Sequence, residues 1–308
     1  MEKFDWKAFY DRCDQFINEW SKNPERCALN SIYFEKDGKE SPLYTSKECE
    51  YYKHMPEPFV GNPTDCLAVM LNLNPGYPMP EFHCECEYAK SIVKKGYSNE
   101  SKQNGYEIFN VGEKGGVKWW VRREQWLHRV TERKYESFKL KPFSIDICPW
   151  HSKSWKGCVD YTYEKLKREI KDNVLTPAFY AVQNAKISFC VIAIGKDYYD
   201  VLNAMEFTQE IEFRPEDCDK VKYLLPKGWP TTKNKKGEKM NVNKAFTMFR
   251  DPNTNSRILC IWCPDGGSNQ PPQKGFDTLV RSLIEGNYKS DPTPTSKVGV
   301  ESFCQTNM

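Results

Sequence analysis

Four short runs of apolar, β-favouring residues constrain this chain more than any other feature: 66–73, 143–148, 188–194 and 257–263. Each is apolar nearly throughout, too short for a typical helix, and closed by Gly, Pro or a polar residue. That pattern predicts strands buried on both faces. Helical patterns fall between and after them. Residues 161–173 are charged and amphipathic, 197–205 follow the third run at once, and 276–285 follow the fourth after a Gly/Pro-rich loop. Strands that alternate with helices predict an α/β fold with three α/β/α layers around a central four-stranded parallel sheet.

The 308 residues suffice for one large domain or two small ones. The boundaries expected are a helical and loop-rich extension over 1–60, opening with an amphipathic helix at 6–20 and packed on the main domain. The α/β/α domain follows over 61–286, then a flexible tail rich in Ser, Thr, Pro and Lys over 287–308. Charged residues make up 28% of the chain, and no apolar run reaches bilayer length. The start does not read as a secretion signal, so a soluble cytoplasmic protein without a membrane partner is expected. Thirteen cysteines would suit a disulfide scaffold, but Cys66, Cys148, Cys190 and Cys260 lie inside the strand-like runs. There a thiol behaves as a small core residue, in keeping with a reducing compartment. His83-Cys84-Glu85-Cys86 and Cys260-x-x-Cys263 have metal-like spacing, yet neither has a convincing second half, so no metal is expected.

A net charge of +3 does not identify a partner. Its distribution says more. Residues 118–141 carry Arg122, Arg123, Arg129, Arg133, Lys134 and Lys139 among Trp119, Trp120 and Trp126, and 220–244 are Lys-rich. Such stretches suit phosphate contacts and base stacking, or else a solvated helix face and a solvated loop.

Open α/β sheets bind ligands at the carboxyl ends of their strands. The first run delivers Asn72-Leu73-Asn74-Pro75-Gly76 there. The second delivers Asp146 and then Cys148-Pro149-Trp150-His151. The third delivers Gly195, with Lys196 and Asp197 opening a helix. The fourth delivers Cys263-Pro264-Asp265-Gly266-Gly267-Ser268-Asn269-Gln270. This set resembles the uracil-DNA glycosylase superfamily, nearest to its single-strand-selective monofunctional branch. The first motif of that branch is Gly-Met-Asn-Pro-Gly, against Asn72-Leu73-Asn74-Pro75-Gly76 here. Its Asn-Leu-Cys-Pro is matched by Asp146-Ile147-Cys148-Pro149, and its Val-Gly-Val-Gly by Ile192-Ala193-Ile194-Gly195. Its closing motif, from His-Pro-Ser-Pro to Asn-Lys-Gly-Trp, is matched by Cys263-Pro264-Asp265-Gly266 and Gln273-Lys274-Gly275-Phe276. The likeness covers 64–285, with long insertions at 87–141 and 205–256.

The resemblance implies a monofunctional DNA glycosylase. Such an enzyme flips a nucleotide from DNA and hydrolyses the bond between base and sugar, leaving an abasic site. The partner implied is single- or double-stranded DNA, with no cofactor and no obligate protein partner. Asn74 matches the residue that holds the attacking water, although an Asn before Pro also simply caps a turn. Leu73, Pro75, Gly76, Tyr77, Cys263 and His151 would line the base pocket. Gly76 stands where the founding uracil enzymes carry a tyrosine that blocks carbon 5 of the base, so the resemblance implies room for a carbon-5 substituent. Gly266, Gly267, Ser268, Asn269 and Lys274 match the loop that enters the duplex. Tyr77, Phe82, Phe109 and Trp119 are available for stacking on the base, or for the core.

Two departures alter the expected chemistry. Asp146 replaces the asparagine that reads uracil. A carboxylate repels the uracil O4 but accepts the N4 amino group of cytosine, and becomes bidentate if N3 is protonated. Cys263 replaces a histidine that donates to the O2 of the leaving base. A thiol is a weak donor, so the change costs about 3 kcal/mol of transition-state stabilisation or marks a silent site. His151 is positioned in sequence to supply that donor. The expected substrate is therefore a 5-substituted, hypermodified cytosine, and relatives in the superfamily that act against viruses carrying such bases imply antiviral defence. The alternatives are a uracil- or 5-hydroxymethyluracil-type repair glycosylase and a catalytically silent DNA- or base-binding module. An unrelated doubly wound nucleotide enzyme would need a glycine-rich phosphate loop after its first strand, which this chain lacks.

Overall fold

A computed structural model describes residues 3–36, 39–40, 49–73, 79–108, 116–131, 141–151, 164–186, 190–214, 231–233, 239–241, 244–263, 270–272 and 274–286. Asn74, Pro75, Gly76, Tyr77, Phe109, the 266–269 loop and the 287–308 tail, all named above, lie outside them. So do Arg133, Lys134 and Lys139, and the side chains of Trp119, Trp120 and Lys274.

The described residues form one seven-stranded mixed sheet in the order β3-β5-β4-β6-β11-β10-β7. Its strands are β3 (Phe59–Val60), β4 (Val69–Asn72), β5 (Phe143–Asp146), β6 (Val191–Ile194), β7 (Thr208–Phe213), β10 (Ala245–Arg250) and β11 (Arg257–Trp262). Two short antiparallel pairs stand apart, β1 (Glu35–Lys36) with β2 (Lys39–Glu40), and β8 (Thr231–Lys233) with β9 (Lys239–Asn241). The four runs read as strands are β4, β5, β6 and β11. They occupy the centre of the sheet and are mutually parallel. The sheet is nevertheless not purely parallel, as the strand–helix alternation suggested. β3 adds antiparallel to β5 at one edge, and β10 and β7 add antiparallel beyond β11 at the other. The physical reason is that antiparallel neighbours need no crossover helix, so short segments can extend a parallel core cheaply.

The helices are α1 (Trp6–Lys22), α2 (Pro24–Leu29), α3 (Glu87–Lys95), α4 (Tyr97–Ile108), α5 (Gly116–Thr131), α6 (Glu164–Ile170), α7 (Thr176–Val182), α8 (Lys196–Ala204) and α9 (Asp277–Ile284). They cover both faces because the central strands are apolar at consecutive positions. Val69, Leu71, Phe143, Ile145, Val191 and Ala193 point to one face, into a core shared with Phe9, Cys13, Ile17 and Trp20 of α1. Met70, Ile192, Ile194, Leu259 and Ile261 point to the other, against Trp126, Leu127 and Val130 of α5 and Leu279, Val280 and Leu283 of α9. The helical stripe of α1 follows from its four-residue apolar spacing, and Asp5 caps the first turn by accepting from the Ala8 N–H at 2.9 Å. Among the described residues no helix is long and apolar enough to cross a membrane.

Two local features depend on particular backbone chemistry, one beside the amino end of β5 and one in the helical segment that begins at Glu164. Gly61 ends β3 with φ +90°, and a Cβ there would come within 2.6 Å of the Pro142 carbonyl oxygen. Only glycine lets β3 turn away so close to the chain leading into β5. The helical segment from Glu164 continues through a π turn, Lys171–Leu175, into α7. Pro177 lacks the N–H that would continue the ladder, and the Thr176 hydroxyl donates to the Lys171 carbonyl at 2.8 Å. The pattern read at 161–173 therefore continues to Val182.

Candidate active site

Because β4, β5, β6 and β11 run parallel, their carboxyl ends share one edge. The topology brings Asn72, Asp146, Gly195 and Cys263 to that edge. Asn72 and Asp146 are register partners at the ends of β4 and β5. Past them the chains stay paired, with the Ile147 N–H donating to the Asn72 carbonyl at 2.8 Å and Cys148 to Leu73 at 2.9 Å. The Gly195 N–H donates to the Ile261 carbonyl at 2.9 Å, which ties the β6 and β11 ends together.

Asp146 is 4% exposed, and its Oδ1 has no hydrogen-bond partner among the described residues. Burial raises its carboxyl group well above the ordinary carboxylate range, and the nearby Asn72 amide opposes that rise only in part. Glu57, just before β3, is also buried and likewise raised, first by burial and then by the charge of Asp146. It is anchored by its own N–H, which donates to the Pro149 carbonyl at 2.8 Å, while the Asp146 N–H donates to the Pro58 carbonyl at 3.2 Å. Two carboxyl groups so placed favour holding at least one proton. His151 joins them: its Nε2 lies 3.3 Å from Glu57 Oε1 and 3.0 Å from the Met55 carbonyl oxygen. The His151 Nε2 that the sequence offered to a leaving base is thus shared between these two partners.

Other titratable groups enclose the pair. The Tyr97 phenol donates to the Phe59 carbonyl at 2.6 Å and is raised by burial and then by Glu57. Tyr198 on α8 is raised by burial and then by Asp146, and the buried Arg123 on α5 offsets part of that. A cavity of about 470 Å³ opens against Asp146, walled by Phe9, Cys13 and Phe16 of α1 and by Asn173 and Val174 of the π turn. That volume falls in the range of small-molecule sites.

The remaining expected residues divide. Leu73 packs into the core beside α1, and Cys263 is buried just past β11. Phe82 is fully buried in the same core as Leu73, so it does not stack on a base; its apolar surface is used up by packing. The basic stretch at 118–141 is not a uniform phosphate face either. Arg123 is buried, Trp126 is core, and Arg129 grips Asp277 through Nε–Oδ2 at 2.8 Å and Nη2–Oδ1 at 3.3 Å. The helical period turns those side chains inward. Arg122 remains exposed and donates to Gln270 Oε1 at 3.1 Å, while Lys244 donates to the Gln270 carbonyl at 3.2 Å. Lys244 directly precedes Ala245, which pairs with Trp262, so both cations converge beside the carboxyl edge. The two metal-like spacings do not assemble. His83 pairs with His54, their rings 5.2 Å apart, and the Cys260 thiol donates to the Gly195 carbonyl at 3.7 Å. Among the described residues no three His, Cys, Asp or Glu side chains are grouped to hold a metal ion.

Sequence reasoning gave no role to Glu57, Asn72 or Ser144. Glu57 had one local signal, a carboxylate between two prolines at the mouth of an apolar segment. Asn72 had another, a second amide two residues before Asn74 and so on the same strand face. No family model matches the chain, and no curated protein or solved structure matches it.

Proposed function

We propose that this protein is a DNA glycosylase that hydrolyses the N-glycosidic bond of a flipped, 5-substituted cytosine and leaves an abasic site. The observation that carries the reading is Asp146: a buried carboxyl group at a parallel strand's carboxyl end, with one oxygen unpartnered among the described residues. Three further facts support it. The four central strands run in the spatial order second-first-third-fourth, helices cover both faces, and the motif-bearing ends share one edge. A parallel four-stranded centre between helices is what the resemblance implies, here extended by antiparallel strands at both edges.

The chemistry follows from protonation. In the free protein burial raises the Asp146 carboxyl well above the ordinary range, which favours its protonated form. On binding, Asp146 passes that proton to N3 of the cytosine ring and becomes a carboxylate facing a cationic base. The bond from sugar to base then breaks with its electron pair moving to the ring, and the base departs neutral. Water adds to the sugar cation, and the proton it releases returns the carboxyl pair to its starting state. General acid catalysis of this kind contributes about 10²–10⁴-fold. Asn74 would hold the water. Arg122 and Lys244, beside the same edge, would meet phosphates.

A second reading has one observation in its favour. A protonated Asp146 presents both a donor and an acceptor, as an amide does, and so also suits uracil. A panel assay decides. The protein is incubated with single- and double-stranded DNA bearing cytosine, 5-hydroxymethylcytosine, a glucosylated form, uracil or 5-hydroxymethyluracil, then treated with alkali. Strand breaks at a cytosine-type base support the proposal, and breaks only at uracil-type bases support the second reading. DNA retardation without any break identifies a silent binding module and ends both.

A further inference from the structure

The recess of about 470 Å³ lies on the α1 side of the sheet, and the glycosylase chemistry makes no use of it. It reaches the end of β5 at Asp146, but side chains alternate along a strand. Ile145 packs into the α1 core, so Asp146 turns its carboxyl group to the opposite face, where the Asn72 amide lies. The recess is therefore separate from the reacting groups. Packed protein leaves few voids larger than a water molecule, so an opening of this size is held by its walls.

Those walls name the ligand. Phe9 and Phe16 of α1, together with Tyr33, line the recess with three aromatic rings, a surface that stacks on another planar ring. Asn173 lines it as well, from the middle of the π turn Lys171–Leu175. Turns of this kind occur mostly at functional sites. This one is held by two bonds to the Lys171 carbonyl, from the Thr176 N–H and, at 2.8 Å, from the Thr176 hydroxyl. The half-buried Asn173 amide has no hydrogen-bond partner among the described residues. It offers a donor and an acceptor side by side. That pair matches a nucleobase edge, where a ring-nitrogen acceptor stands beside an amino donor. Among the lining side chains Arg12 and Lys165 are balanced by Glu19 and Glu169, so the recess has no surplus of positive charge to hold a phosphate.

We infer that this recess is a second ligand site, which takes a free nucleobase or an uncharged nucleoside through ring stacking and the Asn173 amide. The inference goes beyond the glycosylase reading and does not depend on it.

The test is calorimetric titration of the full-length protein with adenosine, cytidine, adenosine monophosphate and indole, the last an aromatic ring without a nucleobase edge. Adenosine or cytidine should bind saturably, and indole at least about 5-fold more weakly, the lower bound for one bidentate amide contact. Asn173→Leu keeps the bulk and loses the amide, so it should weaken the nucleoside by about 5–150-fold and leave indole unchanged. Asn30 is exposed and also lines the recess, so Asn30→Trp should obstruct it and weaken every probe even if Asn173→Leu fails to fold. Saturating single-stranded DNA should leave nucleoside affinity unchanged. Failure of both nucleosides to bind overturns the inference, as does indole binding as tightly as they do. Tighter binding of the monophosphate than of adenosine overturns the uncharged class. An unchanged nucleoside affinity in folded Asn173→Leu, or displacement of the nucleoside by DNA, puts the binding elsewhere and overturns the site. None of these readouts involves base excision, so a protein that releases no base can still meet them, and one that releases cytosine-type bases can still fail them.

Discussion

Replacing Asp146 with asparagine tests the chemistry at its centre. The substitution preserves shape and the position beside Asn72, but it removes the one carboxyl group that the described residues place at the paired ends of β4 and β5 and that can hand a proton to N3. Asp146 has one open oxygen and is buried, so no other described carboxyl can take its place without moving; the nearest, Glu57, is held by its backbone bond to Pro149 and by His151. Loss of a general acid predicts a fall of about 10²–10⁴-fold in cytosine-type excision. Toward uracil, the new amide donor faces O4, which is worth about 1–3 kcal/mol of discrimination, or about 5–150-fold. The ratio of cytosine-type to uracil-type excision should therefore drop by at least about 500-fold. Single-turnover rates on matched oligonucleotides read this directly, with circular dichroism to establish folding. A folded Asp146→Asn protein whose ratio moves by less than about 10-fold would refute the assignment of the proton to Asp146.

The other predictions concern protons, phosphates and packing. Glu57 and Asp146 have raised folded-state pKa values, so their contribution to stability is full below the ordinary carboxyl range near about 4 and is lost as pH rises through the raised values. Melting temperature should therefore fall as pH is raised from about 4 toward neutrality, and Glu57→Gln should flatten that slope; an unchanged slope contradicts the pair. Arg122→Ala and Lys244→Ala should each reduce by about 1 the slope of log binding constant against log salt for DNA, and unchanged slopes would remove both from the DNA interface. Arg129→Ala should cost about 1.5–3 kcal/mol in denaturant unfolding, since it breaks the paired contact with Asp277, yet leave that salt slope as it was.

The centre of the fold was legible because β4, β5, β6 and β11 are continuous apolar runs, a pattern that only burial on both faces explains. The edges were not. β3 is two residues long, β7 (Thr-Gln-Glu-Ile-Glu-Phe) is polar along an exposed edge, and β10 follows a Lys-rich stretch that reads as loop. In β7, Glu210 pairs with Arg250 and Arg257, so its charges serve neighbours far away in sequence. The same distance hid half of the site. Asp146 announced itself as a carboxylate inside Ser-Ile-Asp-Ile-Cys, but its companions come from residue 57 and residue 72, and only the sheet register joins them. The basic helix misled for a related reason: charge counts ignore which face a side chain occupies, and Arg123 and Arg129 turn inward.

Mass spectrometry of what the wild-type protein releases from DNA addresses the central claim most directly. Duplex and single-stranded DNA containing 5-hydroxymethylcytosine, its glucosylated form and uracil would be incubated together, and the free bases identified. The account predicts an intact cytosine-type base, amino group retained, released with an equal amount of abasic site, and lost in Asp146→Asn. Free uracil as the sole product, or a cytosine-type base released equally well by Asp146→Asn, would contradict it.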